Sequence, residues 1–409
     1  MASLARRVFG AFFTLIALLP PLTARADAIG DWNQIANRTL ADANVAGNAR
    51  ARAVAMTHAA MFEAVNAVEK RFTPIVARLD VAPGASATAA AAAAAHGVLA
   101  QVAPGQKSRL DQALAEAVGR VADAQARAAG IAVGERAASA IWADRQDDAL
   151  SAPDTYRPHT TPGIWVPTAP PLFPEYARAR LWGTARNDTY RPGPPPALNS
   201  AQYASDYNET KSLGARASTA RTAAQTDAVR YWSQANFGAA ADQVTRQFTE
   251  SRKLGLAESA RLSAHMYMAL ANTFMADWDA KFHYNFWRPV TAIRNGDQDG
   301  NDATDRDAGW SPLNATPMHP EYPSQASMTA AVVQAVIERH FGADAGPVGV
   351  NDSANPQLKR TYASVADLAT EMKEVRIWGG IHFRTSLATS AVMGKRIADD
   401  VIGYYMKPR

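Results

Sequence analysis

The chain has 409 residues, 47% of them apolar, a formal charge of +4 and no cysteine. Disulfides, thiolate metal sites and a cysteine nucleophile are thereby excluded, and any metal must be held by histidine, carboxylate or carbonyl ligands. The apolar fraction allows a large core, and the abundance of alanine with few β-branched runs favours helix over sheet.

Arg6 and Arg7 precede an apolar stretch from Val8 to Leu22, and Ala24-Arg25-Ala26 matches a small-x-small cleavage pattern. Residues 1–26 therefore read as a signal peptide, short for a spanning helix. Its removal takes away three arginines and no acidic residue, so 42 basic groups become 39 against 38 acidic ones. The basic excess belongs to the signal and is no argument for a nucleic-acid partner. The mature protein is expected in the periplasm or secreted, water-soluble and without membrane attachment.

Ile35 to Val68 has helical spacing, with Ala55, Ala59, Phe62 and Val65 on one face. Residues 85–103 form a second helix. They are mostly alanine, which carries little transfer energy, so a helix of a water-soluble body is expected and not a membrane span. Residues 107–146 hold one or two more, completing an N-terminal helical part over 27–150. Proline then recurs from Pro153 to Pro196, a density that forbids regular helix and central strand. This segment, 151–200, contains Trp165, Phe173, Tyr176, Trp182 and Tyr190, so it is expected to pack on the body. A C-terminal helical part, 201–409, follows. Helices are predicted at 200–213, 219–236, 240–254 and 257–287, the last ending at Arg288-Pro289. An irregular segment at 295–323 precedes helices at 324–341, 355–374 and 382–404. Within it, Asp297 to Asp302 has the acidic alternation of a calcium loop but no glycine at its sixth position, and reads as a solvated acidic loop.

Three pieces carry chemistry. Lys281 and Arg288-Pro289 are seven residues apart, two helical turns, which predicts one shared face. Pro323-Ser324-Gln325-Ala326 opens a helix, where the serine hydroxyl can cap and the free amides form an anion site. Arg376 and His382 flank Gly379-Gly380, which breaks the helix and lets the two side chains converge.

Together these pieces resemble the signature of the vanadium haloperoxidase and acid phosphatase superfamily: Lys, six residues, Arg-Pro; then Pro-Ser-Gly-His; then Arg, five residues, His. Phe286-Trp287-Arg288-Pro289 looks closest to the bacterial haloperoxidase branch, and Ala53–Val68 and Tyr207–Thr226 look similar to it as well. The resemblance implies an all-α helical bundle with long Pro-rich irregular segments. It also implies an oxyanion pocket. Lys281, Arg288 and Arg376 would neutralise vanadate or phosphate. Ser324, Gln325 and the helix amides would add hydrogen bonds, and His382 would be the vanadate ligand or the phosphoryl-accepting nucleophile.

Two positions depart from the pattern. Ala326 stands where the acid–base histidine is expected, and Ser386 where an aspartate often follows the ligand histidine by four residues. His319 and His283 are the nearby candidates to replace the missing acid. Three functions stay open: peroxide-dependent halide oxidation or altered chemistry on bound vanadate, phosphate-ester hydrolysis through His382, and silent binding of phosphate or vanadate. The partner in each case is a small substrate or an oxyanion. For the N-terminus, sequencing of exported protein is expected to begin at Asp27; an intact Met1 on cytosolic material would contradict the signal.

Overall fold

A computed structural model of the protein describes residues 27–76, 78–146, 148, 156–167, 170–171, 179–184, 186–352 and 355–409. The signal segment, and Pro153, Phe173, Pro174 and Tyr176 of the Pro-rich stretch, lie outside the described residues. Thirteen α-helices and one small hairpin make up the regular structure of the described residues, in keeping with the all-α expectation. Among them no helix is long and apolar enough to cross a membrane.

The helical stretch expected at 35–68 is two helices, α1 (Ala28–Asp42) and α2 (Gly47–Glu69). Asn44 and Gly47 take positive φ between them and turn the chain. The alanine helix is α3 (Ala87–Val102), begun by the Ser86 hydroxyl accepting the Ala89 amide. Ala89 to Ala95 are all buried. Beyond α4 (Lys107–Gly119), α5 (Ala124–Arg145) packs on α3 through glycine. A methyl group on Gly134 would sit 2.3 Å from the Ala90 carbonyl oxygen, and one on Gly130 2.4 Å from that of Ser86. Small residues on both helices exchange side-chain bulk for close approach of the backbones.

The second half starts with α6 (Ala201–Gly214), α7 (Ala223–Gln234) and α8 (Phe237–Ser251), capped by Ser200, Thr222 and Asn236. The 29-residue helix α9 (Leu256–Tyr284) is the spine. It packs on α2, and also on α11 (Gln325–Phe341) and α13 (Arg384–Tyr404). The main apolar core draws on residues from Ile29 to Met406, and a second, smaller cluster of Tyr203, Tyr207, Phe286, Trp287, Tyr322 and Phe383 lies beside the candidate site.

Two sequence expectations fail here. Helix α9 stops at Tyr284, because Asn285 adopts the left-handed conformation with φ 49°. Arg288 lies beyond that end, at the N-cap of the short α10 (Pro289–Arg294), so it shares no helix face with Lys281. The helix expected over 355–374 is instead a strand followed by a shorter helix. Strand β1 (Val348–Asn351) pairs antiparallel with β2 (Lys359–Tyr362), Val348 facing Tyr362. Helix α12 (Val365–Trp378) begins only where the Ser364 hydroxyl accepts the Asp367 amide.

The acidic loop is also more ordered than a solvated one. Asp299 is buried and accepts from the Thr304 hydroxyl at 2.8 Å and the Asn301 amide at 3.0 Å, while Asp297 and Asp302 are exposed. No group of three metal-ligating side chains occurs among the described residues.

Trp165, Trp182 and Tyr190 of the Pro-rich segment are buried. The segment also holds the site's approach. Ile164 forms an isolated bridge with Phe286, the Trp165 amide donates to the Asn285 carbonyl, and the Trp287 amide to that of Gly163. The Glu321 amide donates to the Phe286 carbonyl at 2.8 Å, so two irregular segments clasp the residues that lead into Arg288.

Because Gly134 has no room for a side chain, Gly134→Val is expected to cost about 1–3 kcal/mol through overpacking. A shifted midpoint in denaturant unfolding checks it; an unchanged midpoint would mean that α3 and α5 yield freely.

Candidate oxyanion site

Lys281 enters the interior from the last turn of α9 and is fully buried. Its ammonium donates to the backbone carbonyls of Pro320 (3.0 Å), Glu321 (3.0 Å) and Pro323. Those three bonds use all three of its donors. Asp277, one turn earlier and equally buried, forms an ion pair with it at 3.7 Å. Burial lowers the Lys281 pKa and Asp277 acts against it, while the three carbonyl acceptors engage every proton of the ammonium.

Arg288 meets His382 directly. Its Nη1 donates to the Ile381 carbonyl (2.7 Å) and contacts His382 Nε2 at 3.1 Å; its Nε donates to the His319 carbonyl (2.9 Å), and its Nη2 reaches His319 Nδ1 at 3.0 Å. A guanidinium can only donate, so His382 Nε2 and His319 Nδ1 are the accepting lone pairs. The proton of His382 is then on Nδ1, and it is donated to Glu321 Oε1 at 2.8 Å. The same carboxylate oxygen accepts the Phe383 amide (2.9 Å), and Oε2 accepts the Ser386 hydroxyl (2.6 Å). Burial raises the Glu321 pKa, while Ser386, Arg288 and the Phe383 amide pull it back. Burial also holds His382 neutral, well below the ordinary histidine value of 6.5. The positive charges of Arg288, Lys281 and Arg376 add to that effect.

Glu321 is the residue that sequence spacing missed. The carboxylate expected four residues after the histidine is Ser386, and Ser386 instead holds a carboxylate that comes from the loop. The available signal was an acidic residue lying between Pro320 and Pro323, two positions after His319.

Arg376 comes from the last turn of α12. The chain then turns at Gly380, where φ is 75° and an added methyl would lie 2.5 Å from the Gly214 carbonyl oxygen of α6. This turn brings His382 back, and Thr210 of α6 donates to its carbonyl at 3.1 Å. The charge of Arg376 acts on Arg288, Lys281, His319 and His382 alike. Its own pKa is lowered to about 10 by burial. Its Nε is buried without a hydrogen-bond partner, and no carboxylate pairs with it among the described residues. The site therefore sets three cations against two carboxyls, with guanidinium donors to spare.

The remaining sequence candidates fare unequally. Ser324 sits at the N-cap of α11, but its hydroxyl contacts that of Ser327 (3.0 Å) and caps no amide; its own amide donates to Ser390. The serine is drawn to a buried hydroxyl pair, which satisfies both side chains locally. Gln325 turns along the helix, its amide nitrogen donating to Thr329 at 2.8 Å. Ala326 is buried. Of the two histidines considered as replacements, His319 lies in the site, edge-on to Trp278 and bonded to Arg288. His283 is exposed at the end of α9 and is not part of it.

The arrangement offers a neutral imidazole lone pair within a ring of positive charge. Such a group attacks or ligates an electrophilic centre that carries negative oxygens.

Residues 261–408 match the family model described as the VCPO second helical-bundle domain. The structure is similar to that of a bacterial vanadium-dependent iodoperoxidase, with a TM-score of 0.78 and 19% identity over 93% of this chain and 97% of that one. It is also similar to a bacterial vanadium-dependent chloroperoxidase in its holo form, with a TM-score of 0.70 and 18% identity over 88% and 93% of the two chains. No curated protein sequence matches the chain.

Nitrogen NMR is expected to find His382 neutral at pH 6.5, with its proton on Nδ1; titration near the ordinary value, or a proton on Nε2, would contradict the site as described. Glu321→Ala leaves the His382 Nδ1–H, the Phe383 amide and the Ser386 hydroxyl without their acceptor. It should cost about 3 kcal/mol or more in denaturant unfolding.

Proposed function

We propose that the chain is a vanadium haloperoxidase-like protein whose site binds vanadate and which acts as a haloperoxidase-type oxidoreductase, a reading supported by the match over residues 261–408 and the shared helical fold. The observation that carries this reading is the Nδ1–H tautomer of His382, whose Nε2 lone pair is directed at Arg288 within a surplus of positive charge. The chemistry of the donors fits an oxyanion. Arg376 has a buried N–H without a partner, and Arg288 has an N–H left after its four contacts.

Vanadate, when bound, supplies an electrophilic centre that activates peroxide toward halide. The protein's own residues prepare for it. Glu321 keeps the His382 proton on Nδ1 and fixes the ring, which leaves Nε2 free to act as ligand. Arg288 exchanges one acceptor for another, turning its Nη1 donor from Nε2 to an anion oxygen. Arg376 supplies charge-assisted donors. Lys281 contributes its field more than a hydrogen bond, because its protons are held by the loop carbonyls. The first amides of α11, at Gln325, Ala326 and Ser327, have no acceptor within the helix and face the anion's charge favourably. Ser324 and Gln325 take part through this helix start and not through their side chains. Position 326 provides no acid or base, so turnover is expected to be slow.

Calorimetry with orthovanadate should give a dissociation constant of about 1 μM or below, near −8 kcal/mol. Arg288→Ala and Arg376→Ala should each weaken it by about 2 kcal/mol or more. The double change Gln325→Gly with Ala326→His should raise peroxide-dependent halide oxidation about tenfold or more. No heat with vanadate, or unchanged affinity in both arginine variants, would overturn the reading. Hydrolysis of a chromogenic phosphate ester that vanadate inhibits, without halide oxidation, would assign the site to phosphoryl transfer instead.

A further inference from the structure

Asp277 has no place in the machinery described so far. It lies one turn before Lys281 on α9 and is fully buried, and neither of its carboxyl oxygens has a hydrogen-bond partner among the described residues. The Lys281 ammonium is 3.7 Å away, with all of its protons already given to backbone carbonyls. A carboxylate without a donor in a dry interior is costly, and a proton relieves that cost. The charges acting on it are Lys281 on its own helix, Arg288 at the start of α10, and Glu321 on the loop. Burial pushes Asp277 up to about 7 against the two cations, so near neutrality it is poised between its two forms.

We propose that Asp277 is the charge balancer of the oxyanion site, taking a proton from solvent when an oxyanion enters and returning it when the anion leaves. This rests on the oxyanion reading given above. Before the anion enters, the ionised carboxyl offsets one of three cations. Once a dianion is seated, it adds to the Glu321 carboxylate in compensating those cations, and an ionised Asp277 becomes a surplus negative group in the same buried cluster. Like charges in such a cluster favour the protonated form of the weaker acid. The balance is simple: one carboxylate and one proton give one carboxylic acid, and no other bond forms or breaks. Asp277 acts through Lys281 and is a positioning residue. The proton it takes up is stored beside the ammonium in a site where position 326 stores none.

The test is calorimetry with tungstate, a tetrahedral dianion that does not itself titrate near neutrality. Titrations at slightly alkaline pH, in two buffers of different ionisation enthalpy, count the protons exchanged. The native protein should take up nearly one proton per tungstate, and its affinity should fall as pH rises above 7, approaching about tenfold per unit. In Asp277→Asn the uptake should vanish and the affinity should become independent of pH over that range. Infrared difference spectra of the native protein with and without tungstate need no variant, and should show the C=O stretch of a carboxylic acid appearing on binding. Proton uptake that persists in Asp277→Asn, or tungstate binding by the native protein without uptake and without that band, would overturn the assignment while leaving the oxyanion site intact. Failure of tungstate and of vanadate to bind would overturn both.

Discussion

The site depends on one buried ammonium. Pro320 and Pro323 have no amide proton to offer, and they turn the loop so that three of its carbonyls face the interior. Lys281 meets all three. This contact joins the end of α9 to the loop that carries Glu321, and Glu321 in turn decides which nitrogen of His382 holds the proton. The loop residues are therefore placed by a cation that is satisfied before any ligand arrives. Lys281 thus carries a structural duty, binding three loop carbonyls, alongside the charge that the sequence reading assigned to the oxyanion.

Much of the fold could be read from residue spacing. The run of alanine in α3 and the proline-dense stretch both report local physics, and local physics is what a single sequence expresses best; the cap at Thr222, which starts α7 later than expected, emerges only in the structure. The end of α9 was harder. Asn285 costs little in either conformation, so only the tertiary clasp of residues 163–165 against 285–287 stops the helix there. The hairpin at 348–362 has strands of only four residues, and the alternation of Val348 and Val350 is too short a signal to announce it.

The candidate site was legible in its cations and in His382, which stand at recognisable separations. Its carboxylates were not. Ser386 looked like the loss of a partner for the histidine, yet the partner is present, supplied by Glu321 from a loop and steadied by that same serine. Asp277 was also invisible, because the meaning of a carboxyl in mid-helix depends on whether it is buried and on what it lacks. Side-chain satisfaction is a property of three dimensions, and these acids have roles only through it.

The guanidinium that rests on His382 Nε2 has a consequence for selectivity. An imidazole lone pair ordinarily captures copper, nickel or zinc wherever it can be reached. Here a hydrated metal cation approaching that nitrogen would have to come against Arg288, Arg376 and Lys281 together, and would find the lone pair already engaged. The charge around that nitrogen therefore opposes a free divalent ion, in addition to the burial of the ring. The same charge that opposes a bare cation would favour a metal carried inside an anion.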